Sequence, residues 1–365
     1  MKATVDEAAV IVGAQSAPLT PAAERTGGTA EPMTQYLGIG IGAGLVSALL
    51  FGVLLKGTLL AFVLNLVSPL PILIVGLGWS HRAALVAAVT GSLALALAVS
   101  MPLGLGFAAY LALPAWWLAY LAQLGRPSGS GAMEWYPTGR LLAWVGATAG
   151  VAVVVIALLS SPNHATYETQ MRELAGTMIR MQMREPAAQA ETGRSEAQKS
   201  DPAERSSGAQ THADLQAELA DAMARLIPGI AATGLALLLA FYLWASARIV
   251  RASGRLLRPW PDIPATAMPR QVLGLLAGAV ILSFAPGYVG VLGTALIGSL
   301  CAVFALQGLA AFHDRSRGRP GRGALLFGLY LILFVTQGIA LVALTLFGLA
   351  DTALNRRRPR GGTAT

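Results

Sequence analysis

The chain has 365 residues, of which 55% are hydrophobic and 12% are charged, and its net charge is +8. A soluble domain typically carries about 25% charged residues, so this composition excludes an ordinary soluble globule. The arginines cluster in short loops between apolar runs. That distribution is typical of topology control and contact with anionic lipid headgroups, so we expect the lipid bilayer, and no nucleic acid, as a partner.

Residues 1–35 are polar and lack hydrophobic periodicity, which predicts a disordered N-terminal tail. Beyond them, a run of roughly 20 apolar residues is needed to cross the hydrocarbon core of a bilayer. About nine runs qualify, and a short seventh and a long ninth run leave eight to ten open. Because backbone polar groups need partners in lipid, we expect an all-α polytopic transmembrane helical bundle. The nine runs are 36–55, 59–79, 83–100, 102–124, 141–159, 226–247, 271–286, 287–312 and 324–350.

One extramembrane excursion, 161–225, separates membrane helices one to five (36–160) from helices six to nine (226–350). A first amphipathic helix is predicted by apolar residues at spacings of three and four, and Pro186 is expected to end it. Residues 187–210 are low in complexity and predict disorder. A second amphipathic helix, about 212–225, then leads into the sixth span. The apolar face of the first helix consists of Tyr167, Met171, Leu174, Met178 and Met181.

The positive-inside rule predicts a cell inner-membrane protein with a cytoplasmic N-terminus. With that orientation the short outside loops hold only Lys56, and all seven tryptophans fall near the cytoplasmic ends of spans. The basic C-terminal tail, 351–365, would lie outside if there are nine spans. Either the count is even, with one segment re-entrant, or the tail breaks the rule. The basic residues of the short inside loops are Arg82, Arg126, Arg140, Arg248, Arg251, Arg255, Arg258, Arg270, Arg315, Arg317, Arg319 and Arg322.

Two stripes of small residues occur in the first and third spans. In a membrane helix, glycines four apart favour close helix–helix packing over a nucleotide-binding loop, which would need a preceding strand. The second stripe is predicted either to pack internally or to dock a partner helix. The first stripe is Gly38, Gly40, Gly42 and Gly44, and the second is Ala83, Ala87 and Gly91.

Polar side chains are few within the spans, and the sequence places no acidic residue deep in any of them. Proton-coupled transporters commonly keep an ionisable group there, so that class is disfavoured. Asn65, Gln307 and Gln337 are candidates to line a site for a neutral small solute, and the alternative is that they form interhelical hydrogen bonds. The four histidines are far apart and Cys301 is the single cysteine, so we predict no metal site, no cofactor and no enzyme.

Two regions resemble the YybS-like family of bacterial membrane proteins. They are Ser-Pro-Leu-Pro-Ile-Leu-Ile-Val-Gly-Leu-Gly-Trp at 68–79, and Phe-Ala-Leu-Gln-Gly-Leu-Ala-Ala-Phe at 304–312 together with Leu-Phe-Gly-Leu-Ala-Asp at 346–351. The resemblance covers about 40–355, with the excursion as the divergent part. Such proteins look distantly similar to the substrate-binding subunits of energy-coupling-factor vitamin transporters. This implies a helical subunit that binds a solute and docks to a partner through small-residue stripes.

Two functional hypotheses follow from the sequence. The first is a solute-binding, transport-related subunit that acts with a membrane or cytoplasmic protein partner. The second is a non-transporting membrane scaffold or envelope-biogenesis factor that uses the excursion, whose methionine-rich helix faces are suited to holding a partner.

Overall fold

The computed structural model describes residues 33–129, 131–190, 202–336 and 338–354. This part of the chain is almost entirely helical, which confirms the all-α polytopic bundle. Its α-helices, in chain order, are α1 (Met33–Gly52), α2 (Leu59–Val67), α3 (Leu70–Gly78), α4 (His81–Ala98), α5 (Met101–Phe107), α6 (Leu113–Gln123), α7 (Thr138–Ser160), α8 (His164–Ala190), α9 (Pro202–Ala252), α10 (Gln271–Ser283), α11 (Tyr288–Arg315), α12 (Arg322–Thr336) and α13 (Gly338–Leu354). The remaining elements are a 3-10 turn (Val53–Lys56), a π-helical turn (Ala108–Ala112) and an antiparallel ribbon of β1 (Gly125–Pro127) and β2 (Met133–Trp135).

Hydroxyl side chains and prolines fix where several helices begin. Thr58 Oγ1 accepts a hydrogen bond from the backbone N–H of Ala61 (3.1 Å), and Ser80 caps α4 in the same way. These bonds satisfy donors that have no partner within the helix. Pro69 precedes α3 and separates it from α2, while the π-helical turn lies just before Pro114 in α6. The second span is therefore interrupted between α2 and α3, and the fourth is a continuous helical run that contains a π-helical turn.

In the described part of the chain, seven helical segments are long and apolar enough to cross a membrane. Three shorter apolar helices, α10, α12 and α13, have 13, 15 and 17 residues. At 1.5 Å per residue these shorter helices measure about 20 to 26 Å, which is less than the roughly 30 Å of a hydrocarbon core. The seven long segments are Gln35–Lys56, Leu59–Gly78, His81–Ala98, Met101–Gln123, Thr138–Ser160, Asp214–Ala252 and Tyr288–Arg315.

Arginine-bearing loops meet at one end of the bundle, which we call the basic end. The Arg255 guanidinium carbon lies 4.5 Å from the centre of the Trp79 ring, and Arg317 Nη1 donates to Asp262 Oδ2 at 2.8 Å. At the other end, the Tyr288 hydroxyl donates to the Ser161 carbonyl at 3.0 Å, beside the start of α8. We call this the excursion end. The loops of the basic end are 79–80, 124–137, 253–270 and 316–321.

Two pairs of helices run parallel, and they determine the direction of the passes. In α1 and α4, Gly40 lies against Ala83, and Gly44 against Ala87, four residues further along both helices. In α11 and α13, Thr345 Oγ1 donates to the Cys301 carbonyl at 3.0 Å, and contacts continue in register towards the C-terminal ends. The start of α13 therefore lies towards the excursion end. Helix α11 ends at the basic end, so the chain must cross the bundle between α11 and the start of α13.

The apolar run 324–350 is thus two helices, α12 and α13, and its prediction as one span is wrong. Helix α12 runs from the basic end to the excursion end, and α13 runs from the excursion end to the basic end. The described chain therefore passes between the two ends ten times. The first described helix begins at the basic end and the last described helix ends there, as an even number of passes requires. Hydropathy alone does not distinguish these arrangements, since 27 apolar residues are long for one pass and short for two.

The excursion differs from the sequence prediction in two respects. Helix α8 continues through Pro186 to Ala190, so that proline does not end it. Helix α9 begins at Pro202, about ten residues earlier than expected, and runs without interruption into the membrane segment. A proline near a helix end removes few backbone bonds, which makes its presence there tolerable. The predicted disorder of 187–210 is therefore wrong for the helical residues at both ends of that range.

Several predicted segments fall largely outside the described residues. The N-terminal tail does so up to position 32, and α1 begins at Met33. The central part of the predicted disordered segment, 191–201, also lies outside. In the C-terminal tail, residues 351–354 belong to α13, and the remainder lies outside the described part.

Candidate functional site

A cavity of about 300 Å³ lies at the basic end between α6, α7, α9 and α11. Helices α9 and α11 are held together nearer the excursion end, where Gly298 lies against the backbone of Gly229. At the level of Leu243 and Leu306 the same two helices instead line the cavity. Its walls are mostly apolar and include Leu142, Val145, Leu243, Trp244, Leu306 and Ala310.

The loop 253–270 closes the cavity at the basic end and contributes Arg258, the one charged residue among the described residues that line it. Arg258 Nη2 donates to the Tyr136 carbonyl at 2.8 Å, and Nη1 to the Ala122 carbonyl at 3.3 Å. These bonds tie the loop to the end of α6 and to the start of α7. Burial of the Arg258 guanidinium lowers its pKa from the ordinary value, because desolvation disfavours the charged form.

A smaller cleft of about 190 Å³ adjoins the cavity and shares Arg258 and Trp260 with it. Arg251 also lines this cleft, and its guanidinium carbon lies 5.1 Å from the centre of the Trp260 ring. Arg248 contacts the same ring at 5.4 Å. The cleft is therefore basic and polar, and it lies beside an apolar chamber. The Trp260 ring lies between the cleft and the chamber, and the guanidinium groups of Arg248 and Arg251 hold it in place.

The candidate solute-lining residues are not brought together. Asn65 lies on α2 and Gln307 on α11, and neither lines the cavity at the basic end. The Asn65 side-chain oxygen is buried without a hydrogen-bond partner among the described residues. Gln337 lies outside the described residues.

Gln307 instead belongs to a buried polar cluster that the sequence did not reveal. Its Nε2 donates to Asp351 Oδ2 at 3.0 Å, and Arg315 Nη2 donates to Asp351 Oδ1 at 2.9 Å. Asp351 is 4% exposed, although the sequence predicts that it begins the basic C-terminal tail. A buried carboxylate is stable only when it is paired and hydrogen-bonded, and this one is both. The sequence feature that could have revealed this cluster is a lone acidic residue at the end of an apolar run, on a helix that can pack beside the arginines of 315–322.

The two small-residue stripes pack against each other. A side chain at Gly40 would come within 2.8 Å of the Ala83 carbonyl, and one at Gly44 would meet the backbone of Ala87 and Gly91. The stripe on α4 therefore faces α1. Gly38 and Gly42 lie on another side of α1, where a side chain would meet nothing within 4 Å.

The fold and the cavity define this molecule as a multi-pass helical membrane protein with an apolar chamber at one end. The chain belongs to the family described as predicted membrane protein (DUF2232), whose model matches residues 45–352. The match extends from within α1 to within the last turn of α13 and includes every segment that lines the cavity. Neither a curated protein nor a solved structure matches the chain.

Proposed function

We propose that this protein lies in the cell inner membrane with its N-terminus, its C-terminus and its basic end in the cytoplasm. The support is the gathering of the arginine-rich loops at the basic end, opposite Lys56 and the excursion. Short loops rich in arginine are retained on the cytoplasmic side of bacterial membranes. The tryptophans of the same end, including Trp79 and Trp260, fit a membrane interface.

The function supported best is binding of a small apolar or amphipathic molecule in the cavity at the basic end, as a transport-related subunit that acts with a partner. The observation that supports this function is the cavity itself, because a concave, mostly apolar chamber with few polar groups is the usual form of a small-molecule site. The proposal includes the expectation, drawn from the sequence motifs alone, that the protein is similar to YybS-like proteins and, distantly, to energy-coupling-factor substrate-binding subunits. We propose a binding protein and not an enzyme.

Filling the cavity tests this function. Ala310 lines the chamber, so Ala310→Phe places a phenyl ring inside it, whereas Ala343 on α13 is exposed and Ala343→Phe leaves the chamber unchanged. Purified wild-type protein and both variants are screened by thermal shift against apolar metabolites and vitamins. Stabilisation of the wild type and of Ala343→Phe, but not of Ala310→Phe, is the expected result. Equal stabilisation of all three proteins would place binding elsewhere, and no stabilisation by any compound would count against the function.

A second candidate is the scaffold or envelope-biogenesis factor, and exposed apolar side chains on the excursion favour it. On α8, Leu174, Met178 and Met181 are exposed, and on α9 Leu215 and Leu219 are exposed as well. Flexible methionine side chains suit a surface that holds a protein partner. Under this proposal the excursion, and not the cavity, carries the activity.

Shortening the excursion separates the two candidates. A deletion must spare Tyr167, because this side chain is 6% exposed and its ring lies 5.7 Å from that of Tyr288. Replacing residues 174–219 by a short flexible linker removes the exposed apolar face and keeps that contact. Rescue of a null-strain phenotype by the shortened protein contradicts the scaffold, whereas failure of rescue with ligand binding intact supports it.

A further inference from the structure

We propose that the ligand of the cavity is an anionic amphiphile, with an alkyl chain in the apolar chamber and a phosphate or carboxylate group bound by Arg258. This inference rests on the proposed binding function. It comes from the relation between the two cavities, which share Leu256, Arg258, Pro259 and Trp260. An apolar chamber that continues into a basic cleft matches a molecule with an apolar tail and a negative head.

Three arginines of the basic end contact a carboxylate, whereas Arg258 contacts none among the described residues. Arg126 contacts Glu134, Arg315 contacts Asp351 and Arg317 contacts Asp262. Arg258 contacts only backbone carbonyls among the described residues. Arginines such as Arg319 also lack an acid, but they are exposed to solvent and need none.

The backbone bonds orient Arg258 without neutralising it. A guanidinium has five N–H donors, and the described structure uses one on each of Nη1 and Nη2. The remaining donors are available to an oxygen-bearing anion. A partly desolvated charge with no counter-ion is costly, so an anion that enters the cleft offsets this cost. Charge-assisted hydrogen bonds from arginine to phosphate or carboxylate are the strong form of such contacts.

The flanking groups favour the same ligand. Arg251 lines the cleft beside Arg258, and Arg248 lies against Trp260, so the potential in the cleft is positive. The chamber of about 300 Å³ lies at the lower end of the range for small-molecule sites, which favours a single alkyl chain over a two-chain phospholipid. A bound neutral solute would leave the charge of Arg258 uncompensated.

The test measures binding of three dodecyl ligands and one free anion to the full-length protein in nanodiscs of neutral lipid. Dodecyl phosphate, dodecanol, dodecyltrimethylammonium and inorganic phosphate are compared by equilibrium dialysis, with empty nanodiscs to correct for partition into lipid. We expect dodecyl phosphate to bind about tenfold or more tightly than dodecanol, as charge-assisted hydrogen bonds predict. The ammonium compound and inorganic phosphate should bind more weakly than dodecyl phosphate.

Two variants assign the preference to Arg258. In Arg258→Gln the advantage of dodecyl phosphate over dodecanol should be lost, while Arg319→Gln removes a charge at the same end and should retain the advantage. Arg258→Lys, which keeps the charge, should retain part of it. If Arg258→Gln does not fold, the order of the three dodecyl ligands on the wild-type protein still decides the question.

The possible outcomes distinguish a failure of the anionic-amphiphile inference from a failure of the proposed small-molecule binding function. If dodecyl phosphate and dodecanol bind the wild-type protein equally well, the cavity binds amphiphiles but the anionic preference is wrong. Equal binding of inorganic and dodecyl phosphate would identify a free-anion site and overturn the amphiphile. A preference that survives in Arg258→Gln would overturn the role of Arg258. Absence of binding by all three dodecyl ligands would overturn the anionic amphiphile as the ligand, whereas the proposed function fails only if the thermal-shift screen also finds no compound that stabilises the wild-type protein.

Discussion

The carboxylate of Asp351 joins the C-terminal ends of α11 and α13, with its Oδ1 2.9 Å from Nη2 of Arg315. The side chain of Asp351 is 2% exposed, whereas that of Arg315 is 37% exposed. The pair therefore lies at the border between the packed helices and the solvent of the basic end. It holds two parallel helices with their C-terminal ends side by side, and this arrangement gives the described part of the chain an even number of passes.

Removing this carboxylate should loosen α13. Asp351→Ala deletes the acceptor of the buried Gln307 bond, so we expect a loss of about 1–3 kcal/mol in the free energy of unfolding. Thermal or denaturant unfolding of the purified protein measures it. Arg319→Gln, at an exposed position of the same end, should change stability by less than about 0.5 kcal/mol. Equal stability of Asp351→Ala and the wild type would mean that the cluster does not hold the helix.

Substitution of the glycines of α1 should affect stability on the face that packs against α4 and not on the opposite face. In Gly44→Ala the new methyl group meets the Ala87 backbone, so the helices must separate, at a cost of about 1–3 kcal/mol. Gly42→Ala meets nothing and should be neutral, or stabilising by up to about 1 kcal/mol because alanine favours helix. The two variants are compared by unfolding temperature in the same detergent. Equal effects at both positions would refute the packing of α1 on α4.

Both termini should be on the same side of the membrane. Ten passes place the C-terminus with the N-terminus, while nine would separate them. We expect green fluorescent protein fused after Thr365 to fluoresce, and alkaline phosphatase at the same position to be inactive. Alkaline phosphatase inserted at position 195 of the excursion serves as the control and should be active. An active phosphatase at the C-terminus would exclude the even count.

The loop-to-loop ion pair of Asp262 and Arg317 should weaken only in acid. The hydrogen bond from Arg317 lowers the pKa of Asp262 below its ordinary value of 3.8. Because the folded-state pKa is the lower one, the stabilisation is fully present above that ordinary value and is lost as the pH falls through the folded pKa. Amide hydrogen exchange in 316–321, corrected for intrinsic rates, should therefore be constant from pH 7 to about 5 and rise only below 3.8. In Asp262→Asn the protection should be lost at every pH, and a variant that retained it would contradict this account.

Composition and hydropathy were sufficient to predict the helical bundle, and arginine placement predicted which loops share an end. The two stripes of small residues were also visible, although only the structure pairs Gly40 and Gly44 with the stripe on α4. The turn within 324–350 was not predictable, because an apolar run gives no sign of reversal unless charges or prolines interrupt it. The contact between Thr345 and Cys301, which shows that α11 and α13 are parallel, is a tertiary contact that a hydropathy profile cannot predict.

The candidate site was less accessible from sequence. Asn65 and Gln307 stood out because polar residues are rare in the spans, but rarity alone does not distinguish a lining residue from one that ties helices together. Arg258 was one of many loop arginines. That it contacts backbone carbonyls and no carboxylate of the described residues depends on how loop 253–270 folds back onto α6 and α7. A cavity formed by four helices and one loop has no local signature in any one of them.

Photo-crosslinking tests the central claim, that the chamber at the basic end binds an amphiphile, most directly. A dodecyl phosphate with a diazirine in its chain is activated on the protein in nanodiscs, and labelled peptides are mapped by mass spectrometry. We predict labelling concentrated in 240–263 and 306–310, and its loss in Ala310→Phe. Labelling spread over outward-facing residues such as Leu59 and Phe334, which are 83% and 80% exposed, without enrichment at the cavity, would contradict the account.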